Sequence, residues 1–204
     1  MPPPRLTCVF CSAATVGALL GSPQGRPLAG DLLVECASYP FLGFTLGVET
    51  PAGYPGLAGL LGGTDLGSLA HATDRLPAPV ILAAGAPVGA AALRSALARL
   101  RRADDRVKHI TLLVPFAEAR SLGAALGLAD RFAVAWDISE LPHAELLDFA
   151  RWLAEEPLFE PAAFAGVFAY ASEPLDPAHV QRLVPLLAPL AVPGAPSGLI
   201  PTTR

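Results

Sequence analysis

Gly85 and Gly89 bracket a turn in the run Val80-Ile-Leu-Ala-Ala-Gly-Ala-Pro-Val-Gly-Ala-Ala-Ala-Leu93. An apolar stretch (80–83) precedes the turn, and a helical pattern from Ala90 to about Arg102 follows it. Backbone N–H groups and the positive end of a helix dipole converge at such a turn, which makes it a place for an anion. Gly85, Ala86, Val88, Gly89 and Ala90 are the candidate ligand contacts, whereas Pro87 has no N–H to offer. The same residues also serve a plain strand-to-helix turn. Ser12 and Thr15 follow another apolar run, where their hydroxyls can meet a ligand or cap the next helix. Trp136 and Asp137 end a third run, as a core or rim tryptophan and a helix-capping acid or as ligand contacts.

Other chemistry is thinly supplied. Cys8 and Cys11 form a Cys-x-x-Cys pair, but no second pair completes a zinc site. On a strand, residues 8 and 11 point to opposite faces, so buried reduced thiols are expected. His71, His109, His143 and His179 are scattered, with no serine or cysteine partner at readable spacing. No metal-ligand spacing and no nucleophile elbow is present.

These residues must be positioned by a chain of 204 residues, enough for one domain with a substantial core. Its hydrophobic content is 52% against 16% charged, and its mean hydropathy is +0.48, so a partner subunit is expected to cover some apolar surface. The uncharged window 76–93 is broken by Pro77, Pro79, Gly85, Pro87 and Gly89, so it reads as a turn rather than a membrane span. The N-terminus has no signal-peptide pattern. Net charge is −4, and the one basic cluster (Arg99, Arg101, Arg102) meets Asp104 and Asp105 at once. It reads as a solvated helix end and not as a nucleic-acid footprint.

In chain order, residues 1–5 read as a loose arm and Leu6 to Cys11 as a strand, followed by a short helix to Gly21. Asp31 to Ala37 reads as a second strand and Phe41 to Glu49, rich in β-formers, as a third. Residues 50–78 form a long Gly/Pro-rich loop with a short helix near 57–61 and another turn of helix near 68–74. Then come the strand 80–83, strands at 108–116 and 133–138, and a last strand at 164–171. Helices at 90–102, 117–128 and 143–155 separate them, and Asp176-Pro177 opens a final helix. The segment 192–204 reads as an irregular tail.

Alternating strands and helices predict a single α/β domain over 1–204. It is three-layered, with a mostly parallel, Rossmann-like sheet of five or six strands and an antiparallel or irregular insertion near 41–78. Strands 80–83, 109–114 and 133–137 are expected to be parallel neighbours. In such sheets ligands bind beyond the carboxyl ends of the strands, which selects the residues singled out above.

The run 80–89, its helix and the next strand and helix resemble the type I phosphoribosyltransferases, whose signature is an apolar strand, two acids, Gly, two or three residues, Thr-Gly and a helix. The likeness covers about residues 80–138, with the two glycines in register. It implies a phosphoribosyltransferase-like fold, with Trp136 and Asp137 where a nucleobase would stack and bond. Ala83 and Ala84 stand where the family holds the ribose diol, and Val88 stands for its phosphate-binding threonine. The resemblance therefore implies lost catalysis and a ligand-binding or regulatory module for a small phosphorylated ligand. No cofactor is expected, with magnesium only alongside phosphoribosyl pyrophosphate. The alternative is a non-enzymatic homo-oligomeric structural or interaction protein without a ligand. A homodimer in the cytoplasm, with no membrane or nucleic-acid partner, completes the expectation.

Overall fold

The computed structural model describes residues 3–22, 25–84, 88–103, 106–137, 144–155 and 163–170. Seven strands form one sheet: β1 (Arg5–Cys11), β2 (Asp31–Glu35), β3 (His71–Thr73), β4 (Leu76–Ile81), β5 (His109–Pro115), β6 (Arg131–Asp137) and β7 (Phe164–Tyr170). Their order is β3-β4-β2-β5-β1-β6-β7, parallel throughout except for the β3–β4 pair. The helices are α1 (Ala13–Gly21), α2 (Phe41–Leu46), α3 (Leu66–Leu69), α4 (Ala90–Ala103), α5 (Phe116–Leu126) and α6 (Ala144–Glu155), with a 3-10 turn at Gly56–Leu60.

The sheet divides the interior into two cores. Leu6, Cys8 and Phe10 of β1 face the side covered by α4, α5 and α6, while Val9 and Cys11 face α1 and α2. This three-layer α/β architecture is the expected one, and both faces of the inner strands are apolar, as a parallel sheet covered on two sides requires. All three cysteines are buried and free, and Cys8 and Cys11 do lie in opposite cores. No helix of the described residues is long and apolar enough to cross a membrane.

Three sequence expectations need correction. Phe41 to Glu49 is not a strand: α2 occupies Phe41–Leu46 and ends on Gly47 in the left-handed region (φ 67°), a C-terminal stop that glycine takes without strain. Its β-forming residues are there to be buried, since Phe41, Leu42 and Leu46 pack into the α1 side of the core. Strands β4, β5 and β6 run parallel but are not neighbours, because β2 lies between β4 and β5, and β1 between β5 and β6. The arginine cluster is only partly solvated. Arg99 Nη1 donates to Leu60 O (2.6 Å), and Arg101 Nη2 bonds Leu128 O (3.1 Å) and the Asp130 carboxylate (2.8 Å).

The segment 50–78 is largely structured, holding the 3-10 turn, α3 and β3. Position 5 is already strand, its N–H donating to Lys108 O (3.1 Å). The expected helix from Asp176 and the tail 192–204 lie outside the described residues.

β1 lies inside the sheet, beside its middle strand β5. From β1 the chain crosses through α1 to β2 on one side, and from β6 it continues to β7 on the other. Adjacent strands whose connections leave in opposite directions open a crevice at their carboxyl ends. That crevice lies at Ser12 and Asp137.

Candidate functional site

At the crevice the chain turns abruptly. Ser12, in extended conformation (φ −86°, ψ 159°), is the single residue between the end of β1 and the start of α1. Thr15 is 1% exposed. Its Oγ1 donates to Ser12 O at 2.9 Å and reaches Ala135 O of β6 at 3.5 Å, so this hydroxyl braces α1 against β1 and β6. Ser12 Oγ lies 3.5 Å from it. Asp137 is buried at the end of β6, and Trp136 is buried in the core beneath α5 and α6, not presented as a stacking face.

Farther along the same edge stands a carboxylate that sequence reading missed. Glu35 ends β2 and is 2% exposed. Its Oε1 accepts the Leu42 N–H (2.5 Å) and its Oε2 the Ala83 N–H (2.7 Å). Burial pushes its pKa up to about 7, against the lowering effect of bonds from the Leu42, Ala83 and Phe41 amides. The one available signal was an acid ending the apolar run Leu-Leu-Val-Glu35. Beside it, Glu118 of α5 accepts bonds from the Ser38 hydroxyl and the Ser38 N–H (3.1 Å). The cavity between Glu35, Glu118, Val88 and Leu93 measures only about 10 Å³, about the least space that holds a water.

The glycine turn at 85–89 follows β4, second from the sheet edge, and not a central strand. Gly85 and Ala86 lie outside the described residues. Val88 is half-buried against the α4–α6 core, Ala90 begins α4, and Gly89 is exposed with open space where a Cβ would stand. No neighbouring atom among the described residues therefore requires glycine at position 89. The turn does not meet the Ser12–Asp137 crevice in any described contact.

Two further pairs arise only through folding. Thr7 Oγ1 and His109 Nε2 are 2.8 Å apart, brought together by the β1–β5 pairing. Tyr54 packs against His71 with ring centroids 5.0 Å apart and the rings tilted by 57°, donates its hydroxyl to Leu69 O (2.8 Å) and accepts the Leu82 N–H (3.2 Å). Among the described residues no cluster of three or more His, Cys, Asp or Glu side chains is placed to hold a metal ion.

With the topology in view, comparison with solved structures is decisive for the fold. A McdA variant from Cyanothece in complex with ATP superposes with TM-score 0.64 at 17% identity, covering 97% of this chain and 82% of its own. The chain shares the fold of this McdA structure. Cobyrinic acid a,c-diamide synthase from Mycobacterium smegmatis, with an ATP analog and magnesium, matches at TM-score 0.60 and 20% identity, over 98% of this chain and 85% of its own. A putative plasmid partition protein from Borrelia burgdorferi B31 bound to AMPPNP matches at 0.57 and 12%, over 91% and 83%. No protein-family model and no curated protein matches the sequence.

These neighbours overturn the phosphoribosyltransferase resemblance and the module derived from it. Two glycines in register within an alanine-rich chain mark a strand-to-helix turn, which many α/β folds share. They also overturn the expectation of no cofactor, since one of them is an ATP complex and another holds an ATP analog and magnesium. A bound triphosphate makes specific demands on the turn after the first strand. A P-loop places a Gly-rich loop, a lysine and a Ser or Thr between strand and helix. Here that interval is Ser12 alone, no left-handed glycine lies at 12–15, and Thr15 is committed to backbone carbonyls. Lys108, the one lysine, precedes β5 at the opposite end of the sheet. The crevice does not fit a magnesium-bound triphosphate.

Proposed function

We propose that this chain has the fold of the ParA-like ATPases without their hydrolysis of ATP. The observation that carries this reading is the direct passage from β1 through Ser12 into α1. Without a loop, no ring of amides surrounds a phosphate, and without a lysine no charge offsets it. Phosphate release from ATP with magnesium tests it: the purified chain is expected to stay at the buffer background, and sustained turnover abolished by Thr15→Ala overturns it.

A second reading is that the edge still takes a nucleotide, gripped by base and ribose with its phosphates outward. The nucleotide-bound neighbours favour it, as does the placement of Ser12 and Asp137 at the crevice. Val88, Gly89 and Ala90 belong to the same reading as a second contact. Titration calorimetry with ATP, ADP and AMPPNP tests the second reading: saturable binding that weakens in Ser12→Ala is expected, and its absence overturns it.

The proposal places the chain in the cytoplasm as a single domain and a homodimer. Phe44 (92% exposed) and Tyr39 (52% exposed) supply an apolar surface on and beside α2.

A further inference from the structure

The α1 face of the sheet carries a second concavity, at the end of the strands away from the crevice. Helix α1 has nine residues, about 13 Å of axis. Strand β1 beneath it has seven, about 23 Å. The helix therefore runs out before the strand does, and among the described residues no helix covers the amino-terminal half of β5-β1-β6-β7 on that side. The result is a groove of about 340 Å³.

Its rim is built rather than loose. Ser22 Oγ donates to Leu19 O (2.7 Å) and accepts the Gly25 N–H (3.0 Å), and the Leu28 N–H donates to the Asp31 carboxylate (2.7 Å). Gly25 lies so close to α1 that a Cβ there would stand 2.3 Å from Leu19 O. Strands form the floor and a glycine-pinned loop forms one wall, so the groove is largely pre-formed, as small-molecule sites are.

The lining has two characters. Leu28, 70% exposed and leading into β2, and Phe168 on β7 put apolar surface at its two sides. The Thr7–His109 hydrogen-bonded pair gives a polar floor. Arg26 and Arg131 are exposed, and among the described residues neither guanidinium has a hydrogen bond or ion pair. Among the described residues Asp31 is the one lining carboxylate, and the Leu28 amide already occupies one of its oxygens. The charged side chains thus leave a net positive mouth between apolar sides.

We infer that this groove binds a small amphipathic anion, a medium-chain or aromatic monocarboxylate. The carboxylate pairs with Arg26 and Arg131, and the hydrocarbon lies between Leu28 and Phe168. A guanidinium fork matches a carboxylate in shape and hydrogen-bond number. The volume lies at the lower end of the range for small-ligand pockets.

The test uses the full chain with decanoate, 2-naphthoate and, as a neutral probe, decanol, each titrated by calorimetry. Saturable binding of at least one carboxylate is expected, with decanol bound at least tenfold more weakly. The dissociation constant should rise about tenfold in Arg131→Gln and in Arg26→Gln, while their melting temperatures stay at the wild-type value. Ala165→Trp, which fills the groove from β7, should abolish binding. Absence of saturable binding by the folded wild type overturns the inference, as do equal affinities for decanol and decanoate or unchanged binding in both arginine variants.

Discussion

The Glu35 carboxylate holds the Ala83 amide at 2.7 Å across 48 residues of sequence, tying the end of β2 to the segment that leaves β4. The same side chain holds the Leu42 amide at the start of α2. One buried acid thus anchors two connections at the carboxyl edge of the sheet. Because burial raises its pKa to about 7 from an ordinary value of 4.5, its contribution to stability is fully present below pH 4.5 and is lost as pH rises through 7. Denaturant unfolding at pH 5 and pH 8 should show wild type losing stability across this window, with Glu35→Gln losing distinctly less. Parallel profiles for the two proteins would contradict the assignment.

Gly56 and Gly89 should respond oppositely to alanine. Gly56 has φ +55°, and a Cβ there would lie 2.9 Å from Ala84 Cβ and 3.0 Å from Leu82 O. Gly56→Ala is expected to destabilise by about 2 kcal/mol or more through backbone strain and overpacking. A Cβ at Gly89 meets open space, so Gly89→Ala should stay within about 0.5 kcal/mol of wild type. Comparable losses at both positions, measured by urea melts, would restore a special role for the 85–89 turn.

Ala14→Lys supplies a cation on the first turn of α1 but no loop. Phosphate release from ATP is expected to remain at background in this variant, because the interval between β1 and α1 still holds only Ser12. Turnover in Ala14→Lys would show that charge alone, and not loop length, is what the crevice lacks.

Phe44→Glu tests the dimer. Phe44 is 92% exposed, so the substitution should change folding stability by no more than about 0.5 kcal/mol. Light scattering at micromolar concentration should move from a dimer mass in wild type to a monomer mass in the variant. A monomeric wild type rules the dimer out.

Residues that fold by local rules were legible in the sequence. The apolar run 109–114 stopped by Pro115, and the pattern of Phe149 and Leu153 between Pro142 and Pro157, gave β5 and α6 within a residue or two. Phe41–Leu46 misled, because aromatic and aliphatic residues signal burial as much as strand, and only the Gly47 stop distinguishes the two. Strand order was not legible, since pairing between β1 and β5 joins residues over a hundred positions apart. Ser12, Thr15, Trp136 and Asp137 were selected by the rule that ligands sit at strand ends, and Ser12 and Asp137 do stand at the ends of β1 and β6. Glu35 and the Thr7–His109 pair escaped because their partners come from elsewhere in the chain.

The inner place of β1 also sets the order in which the molecule can be made. Both neighbours of β1, first β5 and then β6, are synthesised about a hundred residues or more after it. At ribosomal speeds of roughly 5–20 residues per second, an apolar strand waits about 5–20 s for its first partner. Nascent chains truncated before Lys108 should therefore expose Leu6–Cys11 to chaperones and proteases. Protection should arrive in one step when β5 clears the ribosome and slots between β1 and β2.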